Sequence, residues 1–273
     1  MRPIEPDTSS SPEVLRRPDS NWIAPPPLAP VWHTVVLVVG IGLLSYAGAR
    51  RFAGDHAQVN RIQTYAFTIA TEVLMLGWVY LGLRIQKVPF RSIFGDVSGG
   101  TRALGIDLGS AAVFWFGSLI VLGSINATWT VIDAVVHHRQ IFPNGRPDAA
   151  QEHILRILTA LAPATASEIA AWILVCVMAG FTEEVVFRGY LQRQFTAWGH
   201  GVLSIGVVFS ALAFGCAHGY QGVRYMVLLS IFGALFSLLA IFRSNIRAGI
   251  FAHAWQDIVA GLAIALLHRL HQI

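Results

Sequence analysis

Three short patterns in the last third of this 273-residue chain place acids, imidazoles and one guanidinium at helical spacing. The first is Glu183-Glu184-Val185-Val186-Phe187-Arg188. On a helix, Glu184 and Arg188 stand at i and i+4 in the favoured acid-first order, so they pair on one face. Glu183 is rotated about 100° from Glu184 and lacks that partner. Two adjacent carboxylates with one arginine therefore divide the labour: one anchors, and the other is free to act as a base. The second pattern is Phe214-Gly215-Cys216-Ala217-His218, with Phe214 and His218 on one face. The third is His253-Ala254-Trp255-Gln256-Asp257, in which the carboxylate can orient the imidazole or help bind the same ligand. Gly215, Ala217, Ala252 and Ala254 are small enough for neighbouring helices to approach closely. The chemistry these residues support is hydrolysis. Glu183 can take a proton from water, and a protonated His253 can donate to a developing oxyanion. Glu183, His218, His253 and Asp257 also make a His/carboxylate set for a divalent metal such as zinc. No His-Glu-x-x-His helix motif accompanies them, and the favoured reading requires no metal.

The elements that position these residues follow from composition. Hydrophobic residues make up 55 % of the chain and charged residues 12 %, against about 25 % charged in an average soluble domain. Mean hydropathy is +0.58. A soluble globule needs more charge to cover its surface, and a disordered chain is poor in apolar residues. An all-α, polytopic transmembrane helical bundle of about 7–8 helices remains. Seven apolar stretches fit a span of about 20 residues: 31–49, 64–83, 104–125, 168–187, 202–218, 222–242 and 246–267. Ile125 to Val136 can extend the third, and Ile154 to Leu161 reads as an amphipathic or re-entrant eighth element. Pro143, Asn144, Gly145 and Pro147 mark the loop between them.

Residues 1–30 hold eight of the 12 prolines and read as a disordered, Pro-rich tail. Residues 31–150 then supply N-terminal transmembrane helices and a loop, and 151–273 a helical core that carries the three patterns. The tail side collects 11 of the 19 basic residues, which puts the N-terminus in the cytoplasm by the positive-inside rule. The expected surroundings are a lipid bilayer and a multi-pass location. No basic run tracks phosphates, so nucleic acid is excluded as a partner. Cys176 and Cys216 sit in apolar stretches and read as small core residues.

Ionisable groups inside a membrane need partners or a wet cavity. Glu72 and Asp107 are isolated in their spans and read as structural. His33, His137, His138, His153, His200, His268 and His271 read as loop or interface residues, and Trp32 and Trp198 as interfacial anchors. The remaining ionisable groups converge if Gly199-His200-Gly201 turns an antiparallel hairpin, because Glu183 and His218 are then equidistant from it. Counting 1.5 Å per residue puts His218 about 22 Å below the tail-side surface. His253 lies about 12 Å below it by the same rise, an offset of about two turns. A site sunk from the tail side is the resulting picture.

The ordered set Glu-Glu-x-x-x-Arg, Phe-x-x-x-His and His-x-x-x-Asn/Asp resembles the CAAX protease and bacteriocin-processing (CPBP, or Abi) family of intramembrane endopeptidases, which includes the type II CAAX prenyl endopeptidase. The resemblance runs from about Ser167 to Ala263 and takes in Phe187-Arg188-Gly189-Tyr190-Leu191-Gln192. It implies peptide-bond hydrolysis in the membrane on a polypeptide or lipidated, CAAX-type peptide. It further implies that Glu183 and His218 activate water, that His253 and Asp257 stabilise the oxyanion, and that Glu184, Arg188 and Phe214 support them. The prenyl endopeptidase carries Asn where this chain has Asp257. An ionised Asp cannot donate a hydrogen bond, so Asp257 orients His253, carries a proton or binds a metal. Members without shown proteolysis act as immunity or scaffold proteins, which is one alternative. An ion- or proton-conducting transporter built on the same buried groups is the other.

Overall fold

The computed structural model describes residues 26–52, 59–141 and 147–270. The expected disordered tail lies outside the described residues through residue 25, as do Pro143, Asn144 and Gly145 of the expected loop. The described chain is a bundle of eight helices without strands. Six are long and apolar enough to cross a membrane: α1 (Val31–Phe52), α2 (Arg61–Ile85), α3 (Gly100–Val136), α5 (Ala166–Trp198), α7 (Val223–Arg243) and α8 (Arg247–Arg269). Helix α4 (Ala149–Leu161) is the amphipathic extra element. Helix α6 (Leu203–Ala217) is apolar but shorter than the stretch 202–218 suggested. Its 15 residues cover about 22 Å, less than the hydrocarbon thickness of about 30 Å. Helix α3 runs unbroken for 37 residues, because nothing between Gly100 and Val136 breaks it.

Polar clamps join the elements. Asp107, isolated in sequence, is fully buried and takes Arg243 at 2.8 Å and Arg247 at 2.7 Å. It thereby pins the α7–α8 turn to α3. Arg224 at the start of α7 donates to Asp148 (2.6 Å) and to the Asn126 carbonyl of α3 (2.8 Å). Asp148 also caps α4, accepting from the Gln151 N–H at 2.9 Å while the Gln151 side chain accepts from the Asp148 N–H. Partial burial works against its charge, but those N–H groups and Arg224 hold its carboxyl below the usual carboxylate range.

His33 departs from the interfacial role expected for it. It is fully buried, stacked on Trp78, and donates from Nε2 to the Trp78 carbonyl at 2.8 Å. Its Nδ1 meets the Tyr190 hydroxyl at 3.1 Å, and Thr34 meets the same hydroxyl at 2.7 Å. An apolar flank in sequence could not reveal this, because the partners come from α2 and α5. Leu28 and Ala29, just before α1, donate their N–H groups to the Gln194 side-chain oxygen at 2.6 and 3.2 Å.

The closeness of α5 and α8 matters most for the site. A Cβ at Gly180 would stand 2.7 Å from the Ala254 backbone nitrogen, and one at Gly249 would stand 2.5 Å from Glu184 Oε2. One at Gly261 would overlap the Trp172 ring. Three glycines thus set the helix separation, as small residues do in membrane bundles. We expect Gly180→Val to force α8 away and lower the melting temperature of the detergent-solubilised protein, whereas Gly77→Ala, where a Cβ meets nothing within 4 Å, should leave it unchanged.

Candidate active site

Helix α5 begins at a capping box. Thr165 accepts from the Glu168 N–H, and the Glu168 side chain accepts from the Thr165 N–H. The helix is α-helical to Glu183, π-helical over Glu184–Leu191 and α-helical again over Gln192–Trp198. π-Helical turns inside α-helices are rare and concentrate at functional sites. All eight residues of this stretch are buried. The widened turn is braced from α6, where Ser210 donates to the Phe187 carbonyl at 2.6 Å.

The expected i, i+4 pair forms inside this stretch. Arg188 Nη1 donates to Glu184 Oε1 at 2.8 Å with both side chains fully buried. Arg188 Nη2 donates to the Gly233 carbonyl of α7 at 3.1 Å. The guanidinium carbon lies 4.4 Å from the Phe214 ring centre and 4.8 Å from that of Phe236. Aromatic faces stabilise a desolvated cation, most strongly where water is excluded. Phe214 therefore supports Arg188, a contact that its spacing to His218 did not reveal.

His253 of α8 is the hub. Its Nδ1 faces Glu184 Oε1 at 3.3 Å. Its Nε2 lies 3.6 Å from Glu183 Oε2 and 3.7 Å from Asp257 Oδ2. Its ring stacks on Phe236 at 5.1 Å and meets Phe214 edge-on at 5.8 Å. Glu183 is therefore not without a partner, as helix geometry alone suggested, because the partner comes from another helix.

His218 ends α6. Its Nδ1–H donates to the Phe214 carbonyl at 2.9 Å, which leaves Nε2 of the neutral ring as an acceptor. His253 packs against Phe214, four residues before His218. The hairpin reading of depth holds, since Gly199–Val202 turn the chain and Glu183 and His218 line one cavity of about 390 Å³. That cavity also takes in Glu72, Thr71 and Tyr220, and it runs out to Arg51 and Thr64 between α1 and α2. The site therefore opens toward the α1–α2 connection, the end opposite the tail. The sequence count assumed that the polar hairpin marked the open end. Instead, the cavity of Glu183 and His218 runs to the other end, and the Leu28–Gln194 contacts lie at the hairpin end beside a separate cavity. Glu72, read as structural, turns out to be a cavity wall residue, buried beside Thr182.

Among the described residues, no group of three or more His, Cys, Asp or Glu is placed to hold a metal ion. Glu183, His218, His253 and Asp257 are thus not gathered as a ligand set in this arrangement, and no step below passes through a metal.

Residues 165–259 match the family model described as type II CAAX prenyl endopeptidase Rce1-like. No curated protein and no solved structure matches the chain. The matched segment starts at the Thr165 cap and ends two residues after Asp257, so it contains every residue of the cluster.

Arg188→Met would leave the buried Glu184 carboxylate without its arginine and facing only His253; removing one partner of a buried pair costs about 3–5 kcal/mol. Chemical denaturation of the protein in detergent should show that loss. The double substitution Glu184→Leu/Arg188→Met should recover most of it, because an apolar replacement of a whole buried pair is close to neutral.

Proposed function

From a multi-pass membrane protein whose residues 165–259 match the family model described as type II CAAX prenyl endopeptidase Rce1-like, we propose an endopeptidase that hydrolyses a peptide bond of a membrane-associated substrate, including prenylated CAAX-type peptides. One observation carries this reading. Glu183 and His218 face a common cavity, while His253 stands at its edge, held by Glu183, Glu184 and Asp257.

In this reading Glu183, aided by Nε2 of His218, takes a proton from water as the oxygen adds to the scissile carbonyl carbon. His253, with hydrogen on both nitrogens, donates from Nδ1 to Glu184 and offers Nε2–H to the oxyanion. Asp257 accepts from that same side in the resting state and orients the ring. An acceptor suffices for this role, so Asp serves where the family has Asn. When the tetrahedral species collapses, the carbon–nitrogen bond breaks and the departing nitrogen takes the proton held by Glu183. Glu184 and Arg188 position His253 and touch no reacting atom. The apolar walls contributed by Ile41, Met75 and Phe187 suit a lipid-anchored or apolar peptide. The bilayer and this peptide are the partners, and no cofactor is required.

The test is cleavage of candidate peptides by the protein in liposomes. Glu183→Gln and His218→Ala should each abolish cleavage while the variants insert and melt like the parent, and activity should persist after stringent chelation. Cleavage at the parent rate by Glu183→Gln would contradict the proposal. Ion flux dependent on Glu183 in the absence of cleavage would instead support the transporter reading, and intact biological activity in Glu183→Gln the scaffold reading.

A further inference from the structure

A second cavity, of about 540 Å³, lies at the tail-side end of the bundle, where Leu28, Ser92, Ile93, Gln192 and Ile246 contribute to its wall. Its inner wall is Arg188. The cavity that holds Glu183 and His218 approaches from the other end. Glu183 lines one cavity and Arg188 the other, so the buried Glu184–Arg188 pair of α5 stands between them, packed among Phe187, Phe214 and Phe236.

Buried side-chain atoms without a hydrogen-bond partner follow this line. On α5 they include Thr182 Oγ1, Glu184 Oε2, Arg188 Nε and Gln192 Oε1, with Glu183 Oε2, whose neighbour His253 Nε2 lies at 3.6 Å, beyond hydrogen-bond reach. Glu72 Oε2 continues the line at one end, and Ser92 Oγ does so at the other. Glu184 and Arg188 are paired and Gln192 follows one turn further on, so these three side chains succeed one another along α5. Arg188 and Gln192 are more than nine-tenths buried and both face the tail-side cavity. Buried polar atoms are rarely left unsatisfied. Where a polar space is large enough, water satisfies them.

We propose that a file of water runs along Glu183, Glu184, Arg188 and Gln192 between the two cavities, and that hydrolytic water reaches Glu183 from the Gln192 end. This rests on the hydrolytic reading above. Each turnover consumes one water, and a peptide seated between α1 and α2 fills the cavity through which Glu183 would otherwise meet solvent. The tail-side cavity keeps a supply open on the other side of the ion pair. Gln192 and Ser92 act through the water they hold and are positioning residues.

Two measurements on the full chain in liposomes test this. The first is X-ray radiolytic footprinting with mass spectrometry. Ile246 is 3 % exposed, yet internal water beside it should give strong labelling in the wild type. Ala240→Phe, which fills the cavity, should abolish that labelling. The second is kinetics. Gln192→Leu and Ala240→Phe should each lower kcat about fivefold or more, with KM unchanged, since neither touches the peptide. A wild type without labelling at Ile246 overturns the proposal, as does an unchanged kcat in both variants. If the wild type cleaves no peptide, the hydrolytic reading and the delivery role fall together. Labelling that disappears in Ala240→Phe would then still establish water in the tail-side cavity, the supply end of the file.

Discussion

Arg188 against Glu184, shut away from water, is the contact on which the rest of the site depends. Two charges in an apolar interior lose hydration that their mutual attraction returns only when the geometry is good and the remaining hydrogens find acceptors. Here the geometry is good and both terminal nitrogens of the arginine find acceptors, while Nε is left without one. One terminal nitrogen reaches Glu184, another reaches the Gly233 carbonyl, and two phenylalanine rings flank the guanidinium. That fixes Glu184, and Glu184 in turn holds His253 by its Nδ1. Four helices meet through this one pair: α5 supplies it, α6 supplies Phe214, α7 supplies Gly233 and Phe236, and α8 supplies His253.

The π-helical stretch gives the arrangement its second consequence. Adjacent carboxylates on a helix point in different directions. Glu184 turns to Arg188 and Gly249, while Glu183 turns to the cavity shared with His218. The two acids thus separate into a structural one and one facing the substrate space. The three close-packed glycines of the α5–α8 contact bring His253 within reach of both. The two cavities then meet the pair from opposite ends of the bundle. Both have largely apolar walls; the first holds Glu183 and His218, and the second holds the unpartnered Arg188 Nε, Gln192 Oε1 and Ser92 Oγ.

Much of this could be read from the chain, and the limits have physical causes. A charge fraction of 12 % identified the solvent. Helical spacing identified the Glu184–Arg188 pair, and symmetry about Gly199–Gly201 brought Glu183 level with His218. Periodicity speaks only of residues on one helix, however. It could not supply His253 as the partner of Glu183, Arg243 and Arg247 as partners of Asp107, or Tyr190 and Trp78 as partners of His33. Each of these contacts joins elements distant in sequence. The π-helical stretch left no trace either, since nothing in the residue types of Glu184–Leu191 separates a π-turn from an α-turn. The direction of access was misjudged because the polarity of a hairpin says where the chain meets water, not where a cavity opens.

The account's central claim is that Glu183 acts on water and not on the peptide. A single turnover of the reconstituted protein in 18O-enriched water tests it directly, with mass spectrometry of both the product and the Glu183 peptide. Attack by activated water predicts one 18O atom in the new product carboxyl and none in Glu183. Recovery of 18O in the Glu183 carboxyl would mean that Glu183 had bonded to the substrate, and would contradict the account.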